Sequence, residues 1–228
     1  YRFGDLGPTH VKVENTQFRL LAGLRGQALG FDWEAAVAYS EAEIIDKQNG
    51  ISATLLQQQL GLSTPEAYNP FSGGDPSNPT GRDTTLSNAA ALSAIDIIAV
   101  RRDKTTLALG DFKVSKSDLF ALPGGSVGMA AGVEVRRDTQ LDDRDPRVDG
   151  TITWLDTVTG TLQPSDLYGV SPTPDTSGSR TVAAAYAEFA VPVVSPEMHV
   201  PLVHRLDVQL AGRYEHYSDF GGVAKPKI

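Results

Sequence analysis

Arg205-Leu206-Asp207-Val208-Gln209-Leu210-Ala211-Gly212-Arg213-Tyr214 is the stretch on which the fold turns. Successive side chains of an extended strand point to opposite faces, so Arg205, Asp207, Gln209, Ala211 and Arg213 share one face while Leu206, Val208, Leu210, Gly212 and Tyr214 share the other. One face is polar and the other apolar. The same period places Arg19, Gly23, Arg25 and Gln27 opposite Phe18, Leu20, Ala22, Leu24 and Ala28, with Leu21 breaking the polar face. After a turn at Gly30-Phe31-Asp32, Trp33, Ala35, Val37 and Tyr39 alternate with Glu34, Ala36, Ala38 and Ser40, which predicts an antiparallel hairpin over 18–43.

A second hairpin, over 107–137, turns at Pro123-Gly124-Gly125. Its returning strand sets Val127, Met129, Ala131, Val133 and Val135 against Gly128, Ala130, Gly132, Glu134 and Arg136. A third, over 180–220, pairs Thr181–Val193 with Arg205–Phe220 across a connection holding Pro192, Pro196 and Pro201. The expectation is all-β with helical loop insertions: an antiparallel meander of about six strands, each near the roughly 9–11 residues of a tilted membrane strand. Long connections separate the hairpins, one near 44–106 and one near 138–179. The first holds two stretches of helical apolar spacing, Ile51–Leu60 and Asn88–Arg101, around a Gly/Pro/Asn/Ser-rich loop at 69–82. Short turns alternating with long loops are the asymmetry of bacterial outer-membrane barrels. Trp33 beside a turn, and Tyr214, Tyr217 and Phe220 where the last strand leaves for a loop, fit interfacial aromatic girdles. A soluble β-sandwich shows the same alternation, because a half-buried sheet also has one wet face.

Composition narrows the function classes. The 228 residues carry a formal charge of −8, which disfavours nucleic acid as a partner, since phosphate binding needs clustered Lys and Arg. With 40% hydrophobic residues, 22 Gly and 14 Pro, the chain reads as folded and turn-rich. Cysteine is absent, which removes disulfides, thiolate metal sites and cysteine nucleophiles. No run reaches the roughly 20 apolar residues of a spanning helix, and the start at Tyr1 fits an excerpt whose missing signal peptide says nothing about export.

Catalytic and metal motifs are weak. His10, His199, His204 and His216 lack the spacing of a paired metal site, Gly124, Gly125 and Gly128 lack a Lys-Ser/Thr ending, and no Gly-x-Ser-x-Gly elbow exists. Asp138, Asp142, Asp143, Asp145 and Asp149 offer oxygens for calcium, but their spacing matches no calcium loop and a solvated loop is the simpler reading. The chain calls for no cofactor and no catalytic residue.

Several phrases, in order along the chain, resemble the barrel region of TonB-dependent outer-membrane receptors. They are Gly23-Leu24-Arg25-Gly26 with Asp32-Trp33-Glu34-Ala35-Ala36; Ala67-Tyr68-Asn69-Pro70-Phe71; Asp118 to Gly125 with Ala131 to Arg136; and Arg213 to Gly221 with Pro226-Lys227. Val135, Asp138 and Lys116 depart from the family pattern. The resemblance implies one sector of a closed barrel of roughly 22 strands, located in the outer membrane of a Gram-negative bacterium. It implies energised uptake of a scarce ligand such as a siderophore or carbohydrate, and partnership with TonB through an N-terminal plug that this chain lacks. In such a barrel the apolar face meets lipid, so Arg19, Arg25, Asp111, Lys113, Glu134, Arg136, Glu188, Arg213 and Glu215 are expected to face the lumen, where they contact the plug or simply solvate the wall. Tyr68, Asn69 and Phe71 become candidate extracellular ligand contacts, although a loop packing on itself explains them equally. The rival is a soluble extracellular β-sandwich for binding or adhesion.

Overall fold

A computed structural model describes residues 3–71 and 88–227. In chain order its elements are β1 (Val11–Ala28), β2 (Phe31–Ile51), α1 (Ala53–Leu60), α2 (Ala89–Ile95), β3 (Asp96–Leu122), β4 (Gly125–Asp143), β5 (Trp154–Asp156), β6 (Thr161–Gln163), β7 (Thr176–Val194), β8 (Leu206–Tyr217) and β9 (Gly221–Lys227). Seven strands form one meander in the order β1-β2-β3-β4-β7-β8-β9, with β1 and β9 as edges, and β5 pairs with β6 as a separate small hairpin.

The antiparallel meander is therefore observed, with corrections to its extent. Seven strands stand in the meander where about six were expected, and most run to twice the expected length. The long connections shrink to 52–95 and 144–175, because their flanks are strand. The helix expected over Asn88–Arg101 stops at Ile95, where the Ala-rich segment gives way to Ile97, Ile98 and Val100, whose branched side chains favour a pleated sheet. Tyr217 precedes the tight turn 218–220 into β9 and Phe220 ends it, so no long loop leaves there. The first turn lies at Leu29-Gly30, both with positive φ (52° and 76°), the pattern that matches the twist of a two-residue hairpin. At the Pro123-Gly124 turn a Cβ on Gly124 would collide with the Pro192 carbonyl, so only glycine fits.

The chain divides into two compact units. Unit 1 comprises Tyr1–Thr16, Glu43–Asp103 and Leu141–Ser177; unit 2 comprises Gln17–Ala42, Lys104–Gln140 and Gly178–Ile228. Unit 1 has ordinary buried cores. Leu56, Tyr68, Ala91 and Ile95 form one cluster, packed by Phe3, Leu6, Ile51, Leu55 and Leu92, and Ala99, Val148 and Leu167 form another. The Ser52 hydroxyl caps α1 by accepting from the Leu55 amide at 3.2 Å, and the Asn88 side chain caps α2 by accepting from the Ala90 amide at 2.8 Å.

The two long connections of unit 1 meet at Asp166, which is fully buried. Its carboxylate accepts from the Thr54 amide at 2.8 Å and the Ser52 hydroxyl at 2.7 Å, and pairs with the Arg147 guanidinium. Burial pushes this carboxyl up, but the hydrogen bonds from Thr54, Ser52 and Arg147 outweigh it and hold the group below the ordinary carboxylate range. Of the acidic run, Asp142 is engaged by Arg101 and Arg144, while Asp145 accepts from the Val100 and Arg147 amides.

Candidate functional site

Unit 2 is built the other way round from unit 1. The register of β7 with β8 sets Tyr186 opposite Arg213, Ala184 opposite Glu215 and Glu188 opposite Ala211 on one face, and Ala185 opposite Tyr214, Phe189 opposite Leu210 and Val191 opposite Val208 on the other. The apolar face is the open one. Leu24 is 71% exposed, Val133 52% and Leu210 42%, with Phe18, Leu20, Val37 and Phe112 also open. On the charged face Glu215 is only 9% exposed, and Ala38, Val182 and Ala184 are buried there by alternation. Both buried apolar clusters among the described residues lie in unit 1.

On the charged face the ions are organised. Glu215 accepts from Arg213 Nε at 2.7 Å, from the Tyr217 hydroxyl at 2.8 Å and from Lys225 Nζ at 3.3 Å. Arg213 also reaches Glu134 at 3.6 Å and lies 6.0 Å from the Tyr186 ring centroid. Glu134 meets Arg136 at 4.0 Å, and Arg136 meets Asp138 at 3.6 Å. Gly132 gives the Tyr186 ring its seat, since a Cβ there would sit 2.7 Å from the ring. Side chains of opposite sign pair around a shared aromatic ring.

Two grooves cross this face. One, of about 560 Å³, gathers Arg25, Gln27, Asp32, Glu34, Lys113 and Tyr186, with Lys113 3.1 Å from Glu34 and the Gln27 amide donating to Asp32 at 2.7 Å. The other, of about 920 Å³, is lined by Gln17, Arg19, Ser40, Gln140 and Arg180 among others, with Arg180 held by Asp219 at 2.6 Å. Arg19 and Arg25 keep their guanidinium groups open to the grooves, while Asp111 is half-buried and Glu188 accepts from Gln209.

Of the nine residues expected to face the lumen, Glu134, Arg136, Arg213 and Glu215 form one network, and Arg19, Arg25 and Lys113 line the two grooves. Sequence reasoning missed Glu34, Tyr186, Tyr217 and Lys225. Tyr186 could have been found, since it lies two residues before Glu188 and so on its face. Lys225 could not, because it enters only through the β8–β9 register, Arg213 opposite Lys225.

The expected loop contacts need correction. Tyr68 is 3% exposed inside the first core of unit 1, and its hydroxyl donates to Asp5 at 3.1 Å, so it is closed to a ligand. Asn69 accepts from the Phe71 amide at 3.0 Å and serves the turn. Phe71 alone of the three presents a large open side chain. Most of the 69–82 loop lies outside the described residues. No described helix is long and apolar enough to cross a membrane, which says nothing of a strand-built barrel. Comparison with protein-family models, with curated proteins and with solved structures finds no match to this chain.

Proposed function

We propose that this chain is a sector of the wall of an outer-membrane β-barrel of the TonB-dependent receptor kind, serving energised uptake of a scarce ligand. The observation that carries the reading is the inverted sheet of unit 2: apolar side chains stand open on one face while the ionised network occupies the less exposed one. In water this arrangement is costly. At about 25 cal/mol per Å² of apolar surface, a continuous apolar sheet face demands a cover, and open patches beyond a few hundred Å² are rare on soluble monomers. Lipid supplies that cover, and a water-filled lumen suits Arg19, Arg25, Lys113, Arg213 and their partners.

The connections support the same reading. Leu29-Gly30 and Pro123-Gly124 are two-residue turns, whereas 52–95 and 144–175 are long and carry their own structure. In the full receptor a plug would rest on the charged wall and engage TonB, the apolar face would meet outer-membrane lipid, and the chain itself would perform no catalysis. The sequence phrases quoted above and this geometry argue together for the family; the strand order leaves two open edges for neighbouring strands.

The test is expression of the full-length gene product in a Gram-negative host. The expected result is an outer-membrane protein that migrates differently on gels before and after boiling and whose ligand uptake stops in a strain lacking TonB. A product that stays soluble in the periplasm or medium without detergent refutes the proposal and favours the β-sandwich.

A further inference from the structure

We propose that a recess in unit 1, lined by Phe3, Thr9, Gln48, Asn49, Asp96 and Tyr168, binds a neutral polyhydroxylated ligand, a mono- or disaccharide. The inference names the cargo class of the receptor reading and in that respect rests on it. The recess measures about 450 Å³, within the range of small-molecule sites. Its floor is apolar, from Ile51 and Leu167, and Phe3 packs edge-on against Tyr168 with ring centroids 5.2 Å apart and planes at 84°. Tyr168 nevertheless stays 44% exposed, and its backbone is pinned by a 2.8 Å hydrogen bond from its amide to the Ile51 carbonyl.

Polar groups stand beside this ring. Asn49 Oδ1 accepts from the His10 amide at 2.5 Å, which fixes the side chain and leaves its NH2 for a ligand. Gln48 and Asp96 are exposed and have no side-chain partner among the described residues. Three ligand classes can be weighed against these walls. An anion is disfavoured, because the lining contains no Lys, Arg or His and its one acidic side chain is the carboxylate of Asp96. A purely apolar ligand would strip water from Gln48, Asn49, Thr9 and Asp96 and return no hydrogen bonds. A sugar meets both demands, with hydroxyls for the amides and carboxylate and a C–H face for the electron-rich face of Tyr168. A quaternary amine satisfies the ring and Asp96 but leaves both amides unused.

The experiment is saturation-transfer NMR and titration on the full-length gene product, in detergent where needed. The probes are a panel of neutral mono- and disaccharides (glucose, galactose, maltose, sucrose), with citrate and tetramethylammonium as the anionic and cationic arms. Sugar signals strongest at ring C–H protons are expected, with affinity falling about tenfold in Tyr168→Ala and holding within about twofold in Tyr168→Phe. Gln48→Ala, an exposed site whose change leaves the cores untouched, weakens binding severalfold and carries the test if Tyr168→Ala fails to fold. Absence of binding to every sugar, preference for citrate or tetramethylammonium, or unchanged affinity in both alanine variants overturns the inference. Saturation transfer does not depend on membrane location, so these results stand apart from the localisation test: sugar failure in an outer-membrane protein rejects this site alone.

Discussion

Replacing Leu24 with arginine separates a lipid-facing sheet from a solvent-facing one. Leu24 lies near the centre of the Phe18–Ala28 stretch, is 71% exposed, and shares its face with Phe18, Leu20, Val37 and Phe112. If that face meets water, the substitution exchanges one exposed side chain for another and changes stability by less than about 0.5 kcal/mol. If it meets hydrocarbon, an arginine near the midplane costs about 2–4 kcal/mol. At about 1.4 kcal/mol per decade, that lowers the folding equilibrium constant roughly 30- to 700-fold. The adjacent Arg25 is the internal control. It sits on the opposite face, lines the smaller groove and is exposed, so Arg25→Leu changes folding by less than about 0.5 kcal/mol in either case. The assay is reversible folding of the full-length gene product into phospholipid vesicles from urea, followed by tryptophan fluorescence and gel mobility. A Leu24→Arg variant that folds within about 0.5 kcal/mol of the parent refutes the reasoning, because no lipid-facing midplane position tolerates arginine so cheaply.

Removing the Asp166 carboxylate with Asp166→Ala leaves Arg147 without its partner and costs about 3–5 kcal/mol, read as faster amide hydrogen exchange in α1 and in 147–168. Because the folded pKa of Asp166 is lowered, its stabilisation is fully present above the unfolded value of about 3.9 and is lost as pH falls through the folded value, so exchange in these segments should accelerate only in strong acid. Acceleration already near pH 6 would contradict the assignment. Gly132→Val drives a side chain into the Tyr186 ring and costs about 1–3 kcal/mol in urea titration, with Gly178→Val, whose site is open, as the harmless comparison. Glu215→Gln removes the charge that Arg213 and Lys225 share, and hydrogen exchange at Ala224 and Lys225 on the β9 edge should rise; unchanged exchange would show that the network does not hold that edge.

Strand alternation was legible where one face is apolar and the other charged, as in Leu206–Tyr217. It faded where both faces carry charge. From Glu41 to Gly50 strand β2 holds Glu41, Glu43, Asp46 and Lys47, and in unit 1 Lys47 pairs with Glu14 at 3.2 Å while Glu43 pairs with Arg102 at 3.2 Å. A ladder stabilised by ion pairs leaves no two-residue hydrophobic period, so the eye stops at Tyr39 while the strand continues to Ile51. Asp166 was illegible for a different reason. Its partners Ser52, Thr54 and Arg147 come from distant positions, and nothing local in Pro164-Ser165-Asp166-Leu167 marks a buried hub.

The two units show why alternation by itself could not decide between a receptor wall and a sandwich. Both readings require one apolar and one polar face, and both predict the same strands. They differ in what the apolar face touches. In unit 1 the apolar side chains of α1 and α2 find each other and Ala99 of β3 finds Val148 and Leu167, and a tyrosine read as a ligand contact disappears into the first of these cores. In unit 2 Val127 and Val182 are buried but Leu24, Val133 and Leu210 stay open, while Arg213, Glu215, Tyr217 and Lys225 take up one another. On the receptor reading proposed above, the exposed Leu24, Val133 and Leu210 are covered by an apolar surrounding outside the unit. Hydrocarbon would cover that face along its whole length at once, which a single protein partner of ordinary interface size would not.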